Sequence, residues 1–199
     1  MSFSDSSYYR SQILFKRNRL SLSALSCLSK KIADNLRRLE EYQNSRIPLI
    51  YVSFKSEVDT HQIIIERLNS GLEVAVPKID ITNRRLKTYL LRDWKKELKP
   101  GVYGILEPDV KVASLIRPSQ IDIVVVPGSV FDRRCGRYGY GGGYFDRFLS
   151  IEAPQALRIG LAFSLQFLPK IPLKIHDQRM DIIVTENKTL RCNRKVNYQ

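Results

Sequence analysis

Leu25, Leu28, Ile32, Leu36 and Leu39 recur at steps of three and four, the period of a helix that presents one apolar face. Ser21 or Ser23 can cap its start, and the first forty residues are predicted to be helical. The apolar run Ile47-Pro48-Leu49-Ile50-Tyr51-Val52 then switches the pattern to that of a buried strand. Asp59-Thr60-His61-Gln62 opens a second helix that runs through Leu68 and stops at Gly71. Residues 73–76 form the next strand, residues 84–91 a shorter and exposed one after a turn at 80–83, and residues 101–108 a loop rich in glycine and proline. Residues 121–126 are the strongest strand. A glycine-rich loop follows, then a helix near 144–149, a strand at 157–162 and a last strand at 180–184. There is no internal repeat.

Strands alternating with helices predict an α/β fold with a largely parallel sheet, in which ligands gather at the carboxyl ends of the strands. That rule singles out residues 53–57, residues 127–146 and the polar stretch after Ala162. A length of 199 residues suits one domain spanning 1–199, and 43% hydrophobic with 27% charged residues is the composition of a globular protein. No apolar run approaches the roughly 20 residues that cross a bilayer. The N-terminus has neither the basic start nor the apolar core of a secretory signal, so a cytoplasmic address is expected. Cys27, Cys135 and Cys192 are widely spaced without a Cys-x-x-Cys pair, which predicts reduced thiols and neither a disulfide framework nor a zinc site.

The 33 basic and 20 acidic residues leave a net charge of +13. Nucleic acid, a membrane surface or small polyanions all suit that charge, and the basic clusters, such as Lys16-Arg17-Asn18-Arg19, also read as a solvated surface. Five of the ten glycines fall within Gly136-Arg137-Tyr138-Gly139-Tyr140-Gly141-Gly142-Gly143. Ordering glycine is entropically costly, so such density marks a backbone that must approach a ligand or adopt positive φ. The loop lacks the third spaced glycine of a dinucleotide fingerprint and the Gly-Lys-Ser/Thr of a P-loop. Its N–H groups can nevertheless converge on a phosphate, with Arg133, Arg134 and Arg137 nearby. Asp146, one step into the next helix, can hold Mg²⁺ or answer the helix dipole. Glu57 can accept hydrogen bonds from ring N–H groups, and Tyr103 can stack on a flat ligand or close over the core. Asp177 and Asp181 can complete a metal site or pair with Arg179. His61 and His176 have no partner at metal-ligand spacing, and no Ser-His-Asp constellation is present.

Taken together, residues 126–132 (Val-Pro-Gly-Ser-Val-Phe-Asp) and 136–149 closely resemble the signature of the 5-formyltetrahydrofolate cyclo-ligase family. Residues 51–60, 104–108, 161–166 and 176–186 resemble further family blocks in the family's order. The resemblance implies a single three-layer, Rossmann-like α/β domain. It implies ATP- and Mg²⁺-dependent ring closure, in which the formyl oxygen of 5-formyltetrahydrofolate is phosphorylated and nitrogen 10 attacks the activated carbon, giving 5,10-methenyltetrahydrofolate, ADP and phosphate. By matched position, Arg10 and the run Arg137, Tyr138, Gly139, Tyr140, Gly141, Gly142, Gly143, Tyr144 and Phe145 bind ATP. Arg137 and Tyr144 are its catalytic candidates, Asp146 and Asp177 hold Mg²⁺, and Val52, Glu57 and Tyr103 bind the pterin side of the folate.

The family pattern begins with Lys-x-x-x-Arg. Here Arg10 takes the arginine's place, but Ser6 stands at the lysine, which leaves two alternatives: Lys16 replaces it in space, or affinity for ATP is lower. Tyr140 occupies a position where family members often carry a different residue. Two other readings compete. A nucleic-acid-binding protein is suggested by the charge and ten tyrosines, but the aromatics do not interleave with the basic clusters as a stacking platform requires. A different phosphate-handling enzyme on a similar scaffold, such as a sugar-phosphate isomerase, would work without ATP.

Overall fold

The computed structural model describes residues 4–101 and 104–192. The helical N-terminus is three helices, α1 (Ser4–Asn18), α2 (Leu22–Arg37) and α3 (Glu40–Gln43). Ser21 caps α2, its hydroxyl accepting from the Ala24 N–H at 3.2 Å. Next come β1 (Pro48–Ile50), α4 (His61–Asn69), β2 (Val74–Asp80), β3 (Arg85–Leu91), α5 (Trp94–Glu97), β4 (Leu98–Pro100), β5 (Leu106–Pro108) and β6 (Ser114–Ile116). The remainder is β7 (Ile123–Val126), β8 (Val130–Asp132), β9 (Arg137–Tyr138), α6 (Tyr144–Arg147), β10 (Leu157–Leu161), β11 (Phe167–Leu168), β12 (Ile182–Val184) and β13 (Thr189–Arg191).

Eight strands form the main sheet in the order β13-β12-β10-β7-β1-β2-β3-β6. The run β12, β10, β7, β1, β2 is parallel, and antiparallel strands are added at both edges. From β1 the chain moves one way to β2, then crosses back to β7 and proceeds the other way through β10 to β12. The winding therefore reverses between β1 and β7, and at such a reversal the loops leaving the two strands diverge and open a crevice.

Side chains alternate across the sheet as the strand period demands. Ile50, Ile123, Val125, Ile159, Leu161, Ile182 and Val184 pack on one face against Ile32 and Leu36 of α2 and Ile63 and Ile64 of α4. Leu49, Val124, Val126 and Ile183 pack on the other against Phe148 and Leu149. Both faces are thus covered, which is why these strands read as continuous apolar runs rather than as alternating ones.

Several expectations are corrected. β3 is as long as β2 and largely buried, because β6 takes the edge that the polar residues of β3 had suggested. The segment 101–108 is only partly loop, since β5 pairs with β4. The last strand is β13, not residues 180–184. The helix near 144–149 is a single α-turn followed by a π-helical turn, Phe148–Glu152. Cys135 and Cys192 are joined in a disulfide with a Cα separation of 6.2 Å, which corrects the expectation of reduced thiols throughout; Cys27 is free and exposed. The bonded pair lies 57 positions apart in sequence, so no local spacing could announce it.

Candidate active site

A cavity of about 550 Å³ opens where the winding reverses, between the loop leaving β1 and the loop leaving β7. The first loop is made rigid by its own side chains. Thr60 donates its hydroxyl to the Tyr51 carbonyl at 2.6 Å and accepts from the Ser53 N–H at 3.0 Å, while Tyr51 donates its hydroxyl to the Val58 carbonyl. At its tip, Glu57 folds back so that its carboxylate accepts from the Phe54 N–H at 2.9 Å. Val52 and Glu57 therefore face the cavity together. Burial raises the Glu57 pKa, against the lowering effect of hydrogen bonds from Tyr140 and the Phe54 N–H and of the Arg17 charge.

The second loop is more than a glycine-rich linker. It contains β8 and β9, which β11 from beyond β10 joins in a small sheet, β11-β8-β9, held by buried polar groups. Asp132, fully buried, accepts from the N–H groups of Arg134, Gly136 and Ile171 at 2.9, 2.7 and 3.0 Å. Gln166, from the stretch after β10, donates to the carbonyls of Gly128 and Ser129. The glycines come next. Gly141 and Gly143 have φ of +105° and +64°, which a side chain would strain. Among the described residues, none accepts a hydrogen bond from the N–H groups of Gly141, Gly142 or Gly143. Free N–H groups on a left-handed turn beside a cavity form a seat for an anion.

Arg137 is 2% exposed and lies under this loop. Its Nη1 donates to the Pro127 carbonyl at 3.1 Å and its Nη2 to Asp146 Oδ1 at 2.7 Å; its Nε is buried, and no described group accepts from it. Asp146 Oδ1 also accepts from the Gln178 N–H at 3.1 Å. Tyr144 and Phe145 complete this wall, and the apolar Pro77, Ile79 and Leu86 of the β2–β3 hairpin stand across from it. The lining thus combines a carboxylate, apolar side chains, free amides and a buried guanidinium.

The remaining candidates lie around this core. Arg10 on α1 does not line the cavity; it donates from Nε to the Gly139 carbonyl at 3.0 Å and lies over the Tyr138 ring, bracing the glycine loop from behind. Tyr138 is buried and donates its hydroxyl to the Pro172 carbonyl. Asp177 also lies outside the cavity lining: its carboxylate accepts from the Lys174 N–H at 2.8 Å and stands 3.7 Å from His176 Nε2. Asp181 accepts from the Arg158 N–H at the start of β10. Lys16 is exposed and does not reach the cavity. Tyr103 lies outside the described residues. Arg17 is the residue that sequence reasoning missed. It had been grouped with a surface cluster, yet Arg10, Ile13, Leu14 and Arg17 share helical spacing, and Arg17 is 4% exposed. A basic residue on the inner face of an amphipathic helix was the available signal.

For a divalent cation, Asp146 fits in part. Its Oδ1 is taken by Arg137 and Gln178, the residue is part of the cavity lining, and Mg²⁺ commonly takes one or two protein carboxylates together with phosphate oxygens. Asp177, engaged with Lys174, does not face that point. Among the described residues, no group of three or more His, Cys, Asp or Glu side chains is gathered for a metal.

A mostly parallel, doubly wound sheet with a cavity at its switch point is the architecture in which α/β proteins bind their ligands. Residues 3–186 match the 5-formyltetrahydrofolate cyclo-ligase family, and the chain belongs to that family. It is 29% identical to a 5-formyltetrahydrofolate cyclo-ligase of Mus musculus, over 89% of each chain. It is 27% identical to a probable one of Schizosaccharomyces pombe, over 82% of this chain and 86% of the other. The solved structure of 5,10-methenyltetrahydrofolate synthetase from Aquifex aeolicus superposes with a TM-score of 0.81 at 30% identity, covering 97% of this chain and 98% of that one. The chain is therefore an enzyme of the ligase class, and its mixed α/β fold with a mostly parallel sheet is that of the family.

Proposed function

We propose that this protein closes the ring of 5-formyltetrahydrofolate to 5,10-methenyltetrahydrofolate at the expense of ATP. The observation that supports this reading is that Glu57, Arg137 and the glycine loop line one cavity. The pterin's ring N–H and amino groups suit a fixed carboxylate, and Val52 with the β2–β3 hairpin supplies its apolar contact. The triphosphate suits the amides of Gly141, Gly142 and Gly143, with Arg137 beneath. The formyl group then lies between the two ligands.

The formyl oxygen attacks the γ-phosphorus and ADP leaves. Nitrogen 10 attacks the carbon of the resulting phosphorylated formyl group and gives up its proton, and the carbon–oxygen bond breaks, so that oxygen and proton leave together as hydrogen phosphate. No protein nucleophile is consumed, which accounts for the missing triad. The protein aligns two substrates and neutralises charge on the transferring phosphoryl group, the role assigned to Arg137 with Tyr144 beside it. Arg10 acts on the nucleotide through the loop it braces. Mg²⁺ held at Asp146 would supply further neutralisation of phosphate charge, with Asp177 joining only after release from Lys174.

Purified protein given 5-formyltetrahydrofolate, ATP and Mg²⁺ should show the rising absorbance of the methenyl product, and none without ATP. Folded protein that gives no rise removes the proposal, and a reaction independent of ATP would point to a different phosphate-handling enzyme. We also propose that the chain acts as one domain, in the cytoplasm.

A further inference from the structure

Two buried guanidinium groups line the cavity, and their charges are met differently. Arg137 is paired with the Asp146 carboxylate at 2.7 Å. Arg17, in the last turn of α1 and 4% exposed, has only neutral acceptors. Its Nε donates to Ser56 Oγ at 3.0 Å, and its Nη1 to the Gly128 carbonyl at 3.3 Å and the Tyr140 hydroxyl at 2.9 Å. Among the described residues no carboxylate forms an ion pair with Arg17, and no group accepts from its Nη2. A buried charge without a counterion is costly, and a bound anion removes that cost.

The three bonds do not account for Arg17 as a strut. The Gly128 carbonyl also accepts from Gln166 Nε2 at 2.8 Å, Ser56 Oγ also donates to Asn18 Oδ1, and Tyr140 is half exposed. Without Arg17 each acceptor keeps a partner in protein or water. Its place points to chemistry instead. Ser56 belongs to the loop leaving β1, and Gly128 and Tyr140 to the loop leaving β7, so Arg17 stands where the two loops diverge.

We propose that Arg17 is a further catalytic residue, whose free Nη2 contacts the phosphoryl group as it passes from ADP to the formyl oxygen. The proposal rests on the ring-closure reading, which brings those groups together between the same two loops. The bond from phosphorus to ADP breaks as the bond from the formyl oxygen forms, and Arg17 keeps its protons throughout. The group in transit spreads charge over three equatorial oxygens, which a planar guanidinium with two unused N–H bonds matches. Arg137 is already countered by Asp146, so the unpaired charge of Arg17 balances what Arg137 does not.

Arg17→Met removes the charge while keeping an unbranched side chain. The expected result is a kcat lowered about a hundredfold and an affinity for a non-hydrolysable ATP analogue lowered about tenfold, the range of charge-assisted hydrogen bonds. Affinity for ADP, which lacks the γ-phosphate, should change less than about threefold, and the melting temperature of the ligand-free protein by no more than a few degrees. Arg17→Lys keeps the charge on one nitrogen and should restore kcat about tenfold over Arg17→Met. An unchanged kcat in Arg17→Met, equal losses for ADP and the analogue, or Arg17→Lys no faster than Arg17→Met would overturn the proposal while leaving the ring-closure reading intact. A large fall in melting temperature with kcat per folded molecule unchanged would make Arg17 a strut and overturn it equally. Inactive wild-type protein would instead sink the ring-closure reading, and this proposal with it, before any variant is made.

Discussion

The chemistry of the cavity is concentrated in a few charged side chains whose surroundings differ. Asp146 is shared between Arg137, the Gln178 N–H and the cavity. Asp146→Asn keeps an oxygen for those two donors but removes the countercharge of a buried guanidinium, so a loss on the order of 2 kcal/mol in unfolding free energy is expected. Turnover at saturating substrates should fall on the order of a hundredfold if Asp146 holds the metal, and a near-normal rate would confine it to orienting Arg137. Glu57 carries the opposite cost. Its pKa is raised in the folded state, so the folded protein holds the proton more tightly than the unfolded one, and stability falls as pH rises from the ordinary carboxylate value through the raised one. Glu57→Gln should therefore raise the melting temperature of the ligand-free protein at pH 7, with no gain below the ordinary glutamate value. Thermal unfolding at the two pH values reads this directly, and a lower melting temperature at pH 7 would contradict it.

At the scale of elements, the site depends on how its loops are anchored. The glycine loop is braced by Arg10 behind, Ser129 and Gln166 below, and Asp132 at the preceding turn. Cys135 lies in that turn, and its bond to Cys192 ties the turn to the chain just after β13. A cross-link closing 57 residues limits the unfolded chain by on the order of 4 kcal/mol in the loop-entropy account. Cys192→Ser should accordingly lower the melting temperature by several degrees in oxidising buffer, and a reductant should do the same to the wild type but not to the variant. Disulfides are rare in a reducing cytoplasm, so thiol labelling of protein taken directly from cells gives the fraction oxidised there. Equal melting curves for variant and wild type would leave the bond without a structural role.

For the whole molecule, the doubly wound topology places the divergence of the β1 and β7 loops at one point, and the chain carries a net charge of +13. Both proposed substrates are anions. Raising salt from about 50 to about 500 mM should lower kcat/KM for ATP and for the folate while leaving kcat nearly unchanged, since screening slows capture rather than chemistry. A kcat that falls in parallel would place the charge effect inside the chemical step instead.

The amino-acid pattern alone determined the parallel core. Residues 47–52, 121–126 and 157–162 are mostly apolar, Asp122 and Arg158 excepted, because both faces of their strands are buried, and that demand is written locally in each segment. It also singled out the glycine run with Arg137 as a candidate phosphate seat, while the folate role of Glu57 is implied by the family resemblance. Only the tertiary structure decided the rest, because those features depend on residues far apart in the chain. The edge status of β3 was settled by β6, the state of Cys135 by Cys192, and the inward turn of Arg17 by Ser56, Gly128 and Tyr140. Hydrogen bonds and packing across such separations leave no periodic trace in sequence, whereas burial on a regular strand or helix does.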